Sequence, residues 1–129
     1  MTGRRNIGSG SPLEPVIGFC RAVRVGNHVA VAGTAPIAPG GGVACPGDVY
    51  GQTRRCFDIA RQALEEAGAG FKDVVRTRVL LTDIANWKDA SRAHGEVFAD
   101  IRPVCTVMQV SGFVDPGWLV EIELDAIVS

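Results

Sequence analysis

The segment at residues 119–128 constrains the fold more than any other feature of the sequence. Four apolar side chains alternate there with three carboxylates: Val120, Ile122, Leu124 and Ala126 against Glu121, Glu123 and Asp125. Successive side chains of a β-strand point to opposite faces of its sheet. The pattern therefore predicts a strand with one face buried under other elements and one mixed, charged face. Mixed faces of this kind are often subunit interfaces around a wet centre.

Two amphipathic helices are predicted to cover the apolar face. Between Asp48 and Gly68, apolar residues recur at helical spacing, at positions 56, 59, 60, 63, 64 and 67. Asp48 is the predicted N-cap, and Gly68 is the predicted C-terminal stop. A second helix is predicted from about Trp87 to residue 100, because Pro103 prevents its continuation.

The remaining segments predict strands and loops. Apolar alternation on both sides of the Gly26-Asn27 turn predicts a hairpin, and further strands are predicted at residues 74–81, 105–110 and 119–128. In the first of these, Val74 is expected to share a face with Arg76 and Arg78. Residues 35–47 contain three prolines and four glycines and predict a loop, with a short edge strand added over residues 43–45. Residues 1–15, rich in Gly, Ser and Pro, predict an irregular arm.

The order of these elements, β-β-(β)-α-β-α-β-β, predicts an α+β fold in which two helices cover one face of a sheet. With 129 residues and no linker, the chain is expected to form a single domain.

Composition and charge disfavour several classes of partner and cofactor. The formal net charge is −1, whereas nucleic-acid binding normally requires a basic excess or stripe. No apolar stretch is long enough for a membrane span and residues 1–10 contain no signal core, so a cytoplasmic protein is expected. Four cysteines without C-x-x-C spacing and two histidines predict free thiols and no metal site. No phosphate loop or nucleotide fingerprint is present, so no cofactor is expected.

Five segments match, in order and spacing, the motifs of one known family. Residues 25–34 resemble its hairpin, vG…v-x-v-S-G-Q, and residues 51–68 its first helix, Q-T-x-x…L-x-x-A-G. Residues 73–84 resemble D-V-V-K-T…D-M/L, residues 98–107 resemble F-F…P-A-R-[ST]-x-V, and residues 120–123 match V-E-I-E. Over residues 19–128, the chain is thereby identified as a member of the YjgF/RidA family.

The resemblance implies a fold, an assembly and a chemistry. The implied fold is the chorismate-mutase-like (bacillus type) α+β fold, with a sheet that carries two helices on one face. The implied assembly is a homotrimer whose sheets line a central barrel, with ligand clefts between neighbouring subunits. RidA members hydrolyse reactive imines and enamines released by pyridoxal-phosphate enzymes. Older names of relatives are translation inhibitor and endoribonuclease. The net charge of −1 gives no independent support for an activity on nucleic acid.

One departure from the family pattern concerns the arginine that clamps the substrate carboxylate. A guanidinium matches a carboxylate with two parallel charge-assisted bonds. Here Cys105 takes the place of that arginine, and a thiol cannot make the pair, so efficient hydrolysis of amino-acid-derived imines is not expected. As a nucleophile, Cys105 would need a nearby base, for which His94 is the only plausible histidine. The alternative is a small buried cysteine and a helix-face histidine that is either packed or solvated.

Glu121 matches the glutamate that positions the attacking water in the family. A carboxylate can orient and deprotonate water as a general base. The alternative role for Glu121 is that of a structural ion-pair partner for Arg76 or Arg78. A neighbouring Glu123 should raise the pKa of Glu121 unless a cation intervenes.

Five further positions correspond to substrate-binding positions or border them. Phe19 replaces a common tyrosine, and Ser91 replaces a common asparagine. Gly33 matches a glycine whose backbone approaches the ligand, which a side chain would prevent; the alternative is a glycine that simply ends the strand. Thr106 directly follows the arginine position, and Trp118 is expected either to wall the cleft or simply to pack.

These features leave three candidate functions. The first is a RidA-like small-molecule hydrolase or deaminase, acting on C=N bonds of an unidentified substrate. The second is a non-catalytic, metabolite-binding or stress-related trimer. The third and least favoured is an endoribonuclease or translation inhibitor.

Overall fold

The structure is a computed structural model that describes residues 3–129. These residues form a six-stranded mixed sheet with helices on one face. Its strands are β1 (Arg4–Ile7), β2 (Ala22–Val25), β3 (His28–Thr34), β4 (Val74–Leu81), β5 (Val104–Gln109) and β6 (Val120–Ile127). The two long helices are α1 (Val49–Glu66) and α2 (Trp87–Phe98). Short helical turns lie at Glu14–Gly18, Phe71–Asp73 and Ile84–Asn86.

Strand β6 lies in the middle of the sheet, whose order is β1-β2-β3-β6-β4-β5. It pairs antiparallel with both β3 and β4. Strands β4 and β5 are parallel, which requires a crossover connection, and α2 supplies it. The α+β fold predicted from the sequence is confirmed.

The two helices cover the apolar face of the sheet, as predicted. Cys56, Phe57, Ala60 and Leu64 of α1 are buried against the strands, together with the four alternating apolar residues of β6. The rings of Phe57 and Phe98 meet edge to face, with centroids 5.5 Å apart, and join α1 to α2.

The predicted N-cap of α1 is confirmed. The Asp48 side chain accepts a hydrogen bond from the Gly51 backbone N–H at 3.1 Å. That bond satisfies one of the donors that the first turn of a helix leaves free. No helix within residues 3–129 has the length and apolar character needed to cross a bilayer.

The prediction of an irregular arm at residues 1–15 is wrong for residues 4–7. They form β1, which pairs antiparallel with β2, because β2 would otherwise be an unpaired edge and Ile7 can bury its side chain in the core. Residues 14–18 form a helical turn. Met1 and Thr2 lie outside the described residues.

Two local predictions also need correction. A bulge between Val74 and Arg76 resets the alternation of β4, so Val74 is buried on the helix-covered face while Arg76 is exposed. The loop at residues 35–47 is confirmed, but its predicted edge strand is reduced to a single bridge between Ile37 and Val43.

Leu64 tests the energetic weight of the helix–sheet core, because its side chain is fully buried. Leu64→Ala should lower the free energy of unfolding by about 2–5 kcal/mol, through lost burial and a residual cavity. Leu13→Ala is the matched control, since Leu13 is 48% exposed and should cost less than about 1 kcal/mol. Urea denaturation at one fixed protein concentration measures both, and equal losses would contradict this account of the core.

Candidate functional site

The face of the sheet opposite the helices, called the open face below, carries a network of ion pairs. Arg78 Nη1 lies 3.4 Å from Glu123 Oε1 and 4.0 Å from Asp125 Oδ2. Arg76 Nε and His28 Nε2 also reach Asp125, at 4.0 and 3.8 Å. The pairs are partly exposed, so each one contributes little to stability.

Glu121 also lies on the open face but takes no part in this network. Among residues 3–129, it makes no ion pair within 4.0 Å. The alternative prediction, that Glu121 is a structural partner for Arg76 or Arg78, is therefore wrong. The arginines pair with Glu123 and Asp125 because the register sets Arg78 opposite Glu123 and Arg76 opposite Asp125, whereas Glu121 lies opposite Leu80.

A bulge in β3 brings Gly33 to the Glu121 carboxylate. Val31 pairs with Leu124 and Thr34 with Ile122, so the two residues between them, Ala32 and Gly33, face Glu123 alone. A Cβ on Gly33 would lie 2.8 Å from Glu121 Oε1, closer than side chains tolerate. Glycine at this position therefore leaves the space that the carboxylate occupies.

The surroundings of Glu121 raise its pKa above its ordinary value. Burial is the main cause, and the neighbouring Glu123 carboxylate acts in the same direction. The Arg21 guanidinium opposes both by favouring the ionised form. A half-buried carboxyl group with these properties is suited to accept a proton.

Arg21 is a residue of the site that the sequence did not single out. Its Nη1 donates to Gly33 O and to Thr34 Oγ1, each at 2.9 Å. Thr34 Oγ1 in turn donates to Ala32 O at 2.8 Å. The guanidinium thus holds the far side of the same bulge that faces Glu121.

Phe19 borders a cleft of about 780 Å³ on the open face. The residue follows the Glu14–Gly18 turn, and the cleft continues over Ala32 of β3 to Arg78 and Asp125. Neither Gly33 nor Glu121 lines this cleft, although both lie on the same side of the sheet as Phe19.

Cys105 and Thr106 lie on the edge strand β5 and face opposite ways. In the parallel register, Cys105 stands beside Thr77 and Thr106 beside Arg78. Because Thr77 is buried under α2, Cys105 is on the helix side of the edge, and Thr106 is on the open face. Both are exposed, so Cys105 is not the small buried cysteine of the alternative prediction.

His94 is occupied by other partners. Its Nε2 shares a 2.8 Å hydrogen bond with Thr77 Oγ1, and its ring lies against Phe98 and Phe57. Burial lowers its pKa. No hydrogen bond joins it to Cys105 in the part of the chain described, and the packed histidine of the alternative prediction is what the structure contains. Ser91, half-buried, precedes His94 by three residues and shares its side of α2.

Trp118 is half-buried in a turn that Gln52 secures. The buried Gln52 amide donates to Gly117 O at 3.0 Å and accepts from Leu119 N–H at 2.9 Å. A second donor bond runs from the amide to Cys45 O at 3.4 Å. This anchor, which sequence reasoning also missed, fixes the backbone on both sides of Trp118.

The candidate residues therefore form two groups on opposite sides of the sheet. Glu121, Gly33, Phe19 and Thr106 belong to the open face. Cys105 on β5 and Ser91 on α2 belong to the helix side, and Trp118, in the turn before β6, belongs to neither group.

Comparison with known proteins decides the family. Residues 10–128 match the family model described as Endoribonuclease L-PSP. Over 98% of its length, the chain superposes on Rv2704 of Mycobacterium tuberculosis, a member of the YjgF/YER057c/UK114 family, with a TM-score of 0.89 and 41% identity, and covers all of that structure. This protein belongs to the YjgF/RidA family.

Two relatives within the YjgF/RidA family illustrate its range. The chain is 43% identical over 122 residues to SCO2049 of Streptomyces coelicolor, covering 95% of this chain and 90% of that one. It is 32% identical over 115 residues to a protein of Acinetobacter baylyi named 3-aminoacrylate deaminase RutC, covering 89% and 88%. The match extends over nearly the whole of each protein.

Gly33→Ala tests the contact between the bulge and the carboxylate. The new Cβ should displace the end of the flexible Glu121 side chain while the fold persists, with a change in unfolding free energy within about 1 kcal/mol. The ¹³C chemical shift of the Glu121 carboxyl should therefore change. Gly70→Ala is the matched control, because a Cβ there meets open space. An unchanged Glu121 signal in Gly33→Ala would show that the contact is absent in solution.

Proposed function

We propose that this protein is a hydrolase that cleaves C=N bonds of small imines or enamines, with Glu121 activating the attacking water. The observation that carries the proposal is the Glu121 carboxyl group itself. It is half-buried, outside the ion-pair network and placed over a glycine, and its pKa is raised. The relative named 3-aminoacrylate deaminase supports the same reaction class.

The proposed reaction needs only water and a proton acceptor. An enamine first tautomerises to the imine. Water then adds to the imine carbon as Glu121 takes its proton, and the protonated Glu121 passes that proton to the nitrogen to give a carbinolamine. Breakage of the C–N bond releases ammonia and leaves a carbonyl product. General-base assistance of this kind contributes typically about 10²–10⁴-fold to a rate.

The residue at position 105 bears on the substrate class. Cys105 offers no charge to a carboxylate, and the nearby open-face guanidinium of Arg78 is already paired with Glu123 and Asp125. A buried or half-buried carboxylate without a cation is costly. The proposed substrate therefore lacks the carboxylate of amino-acid-derived imines.

We further propose that the protein works as a homotrimer with inter-subunit clefts. The two groups of candidate residues lie on opposite sides of one sheet, so one protomer does not gather them into a single pocket. Strand β5 is an unpaired edge in the described chain and exposes Val104 by 59% and Met108 by 39%. Contact between this edge and a second copy would bury apolar surface and let the two groups meet.

Glu121→Gln is the direct test of the enzyme proposal. Imines formed in place by an amine oxidase from simple primary amines serve as substrates, and released ammonia is measured. The variant should lose about 10²–10⁴-fold in kcat/KM, because the amide cannot accept the proton. Wild-type activity should rise with pH through the pKa of Glu121, which lies above the usual value of about 4.3.

The matched control is Glu123→Gln, two residues along the same strand and engaged with Arg78. It should retain most of the wild-type rate. Light scattering should give the mass of a trimer for all three proteins, and a monomer would contradict the inter-subunit site. Full activity of Glu121→Gln would overturn the role of Glu121. Ligand binding without turnover would favour the metabolite-binding alternative, and cleavage of RNA would favour the endoribonuclease.

Cys105→Arg tests the proposed substrate class. With 2-iminopropionate, generated from alanine by an amino-acid oxidase, wild type should accelerate hydrolysis little and the arginine variant should accelerate it more. The restored guanidinium would bind the carboxylate in a bidentate pair. Cys105→Ser is the control, because it removes the thiol without adding charge. Strong acceleration by wild type would show that the missing arginine does not restrict the substrate.

A further inference from the structure

The Arg21 side chain, directly before β2, forms hydrogen bonds with β3. It is a partly buried guanidinium whose Nη1 bonds to two acceptors on consecutive residues of β3, Gly33 O and Thr34 Oγ1. Gly33 belongs to the bulge of Ala32 and Gly33, and the Glu121 carboxylate lies against its other side. A cation and a carboxylate thus lie on the two sides of one peptide segment.

Side-chain donors bond to the carbonyls of the bulge. A bulge leaves an extra residue outside the ladder of backbone hydrogen bonds, so its carbonyls need other donors. Here the donors are side chains: the Arg21 guanidinium for Gly33 O, and the Thr34 hydroxyl for Ala32 O. Thr34 is fully buried, and its hydroxyl also accepts a hydrogen bond from Arg21. The Arg21 guanidinium, the Thr34 hydroxyl and the carbonyls of Ala32 and Gly33 therefore form one hydrogen-bonded network.

We propose that Arg21 is a positioning residue for the candidate site: its guanidinium fixes the bulge at residues 32 and 33 and thereby fixes where the Glu121 carboxylate lies. The proposal rests on the proposed function of Glu121 and extends it. Arg21 contacts β3 and does not itself contact the carboxylate within ion-pair distance.

The ionisable groups around Glu121 come from three elements. Glu123 on its own strand and the burial of the site favour the protonated carboxyl, and Arg21 favours the ionised one. The thiol of Cys56 on α1 also senses the Glu121 charge, but burial raises the pKa of this thiol far above neutrality, so it remains protonated. Arg21 is therefore the group that offsets the desolvation of Glu121, and its removal should leave the carboxyl harder to ionise.

The test is a ¹³C NMR titration of the Glu121 carboxyl in wild type, Arg21→Gln and Arg21→Lys. Comparison with Glu121→Gln assigns the signal. The titration midpoint should move to higher pH in Arg21→Gln, whereas Arg21→Lys should keep it nearer to wild type because it keeps the charge. If turnover is found, the acidic limb of the rate–pH profile should move in the same direction.

Arg24→Gln is the matched control, because Arg24 is another partly buried arginine that donates to backbone carbonyls, at Gly26 and Ala67. It should leave the Glu121 midpoint unchanged while costing similar hydrogen bonds. A purely structural role for Arg21 predicts loss of stability in both variants and no midpoint shift in either. A coincident midpoint in wild type and Arg21→Gln, or an equal shift in Arg24→Gln, would overturn the proposal.

Thr34→Val keeps the test decisive if Arg21→Gln does not fold. This variant keeps the guanidinium charge and removes one of the two acceptors of Arg21. The ¹³C chemical shift of the Glu121 carboxyl should therefore differ from that of wild type. An unchanged chemical shift would contradict the positioning role. The titration needs no substrate. If no substrate is turned over but the Glu121 midpoint shifts in Arg21→Gln, the hydrolase proposal is refuted and the positioning role of Arg21 stands. If substrate is turned over but the midpoint does not shift, only the positioning role is refuted.

Discussion

The fold depends on a single alternating strand that two halves of the sheet share. Strand β6 buries one row of side chains under α1 and α2 and turns carboxylates to the other side. Hydrophobic burial on the first side fixes the register, because a slip of one residue would exchange the two rows. The same register determines which carboxylates meet Arg76 and Arg78 and which one is left for other use.

Sequence periodicity was sufficient to predict the elements that bury a continuous apolar stripe. Helix α1, the β2–β3 hairpin and β6 each carry a repeat of 3.6 or 2 residues that is visible without a structure, and Asp48 is recognisable as a cap by its residue type at the start of α1. Strand β1 has only one buried residue, Ile7, and hence no periodic pattern to detect. Its formation follows from the partner strand, which sequence alone does not show.

The candidate site was predictable in its residues but not in its arrangement. Glu121, Gly33 and Cys105 were found from motifs, whereas the contact between the first two comes from a bulge, and bulges interrupt the alternation on which strand predictions rely. The roles of Arg21 and Gln52 escaped notice for a similar reason. Their partners are distant in sequence and are mostly backbone groups, which leave no signature in the residue types.

The central place of β6 also has a consequence for how the protein is made. The β2–β3 hairpin and the β4–α2–β5 unit can each form from local contacts, but they have no direct strand pairing with each other. During synthesis from the N-terminus, the edges of β3 and β4 that face β6 stay unpaired until β6 has been added between them. Pairing of β6 with β3 and β4 is therefore a late, non-local event. The chain in which these edges are still unpaired is the form most exposed to aggregation or to chaperone binding.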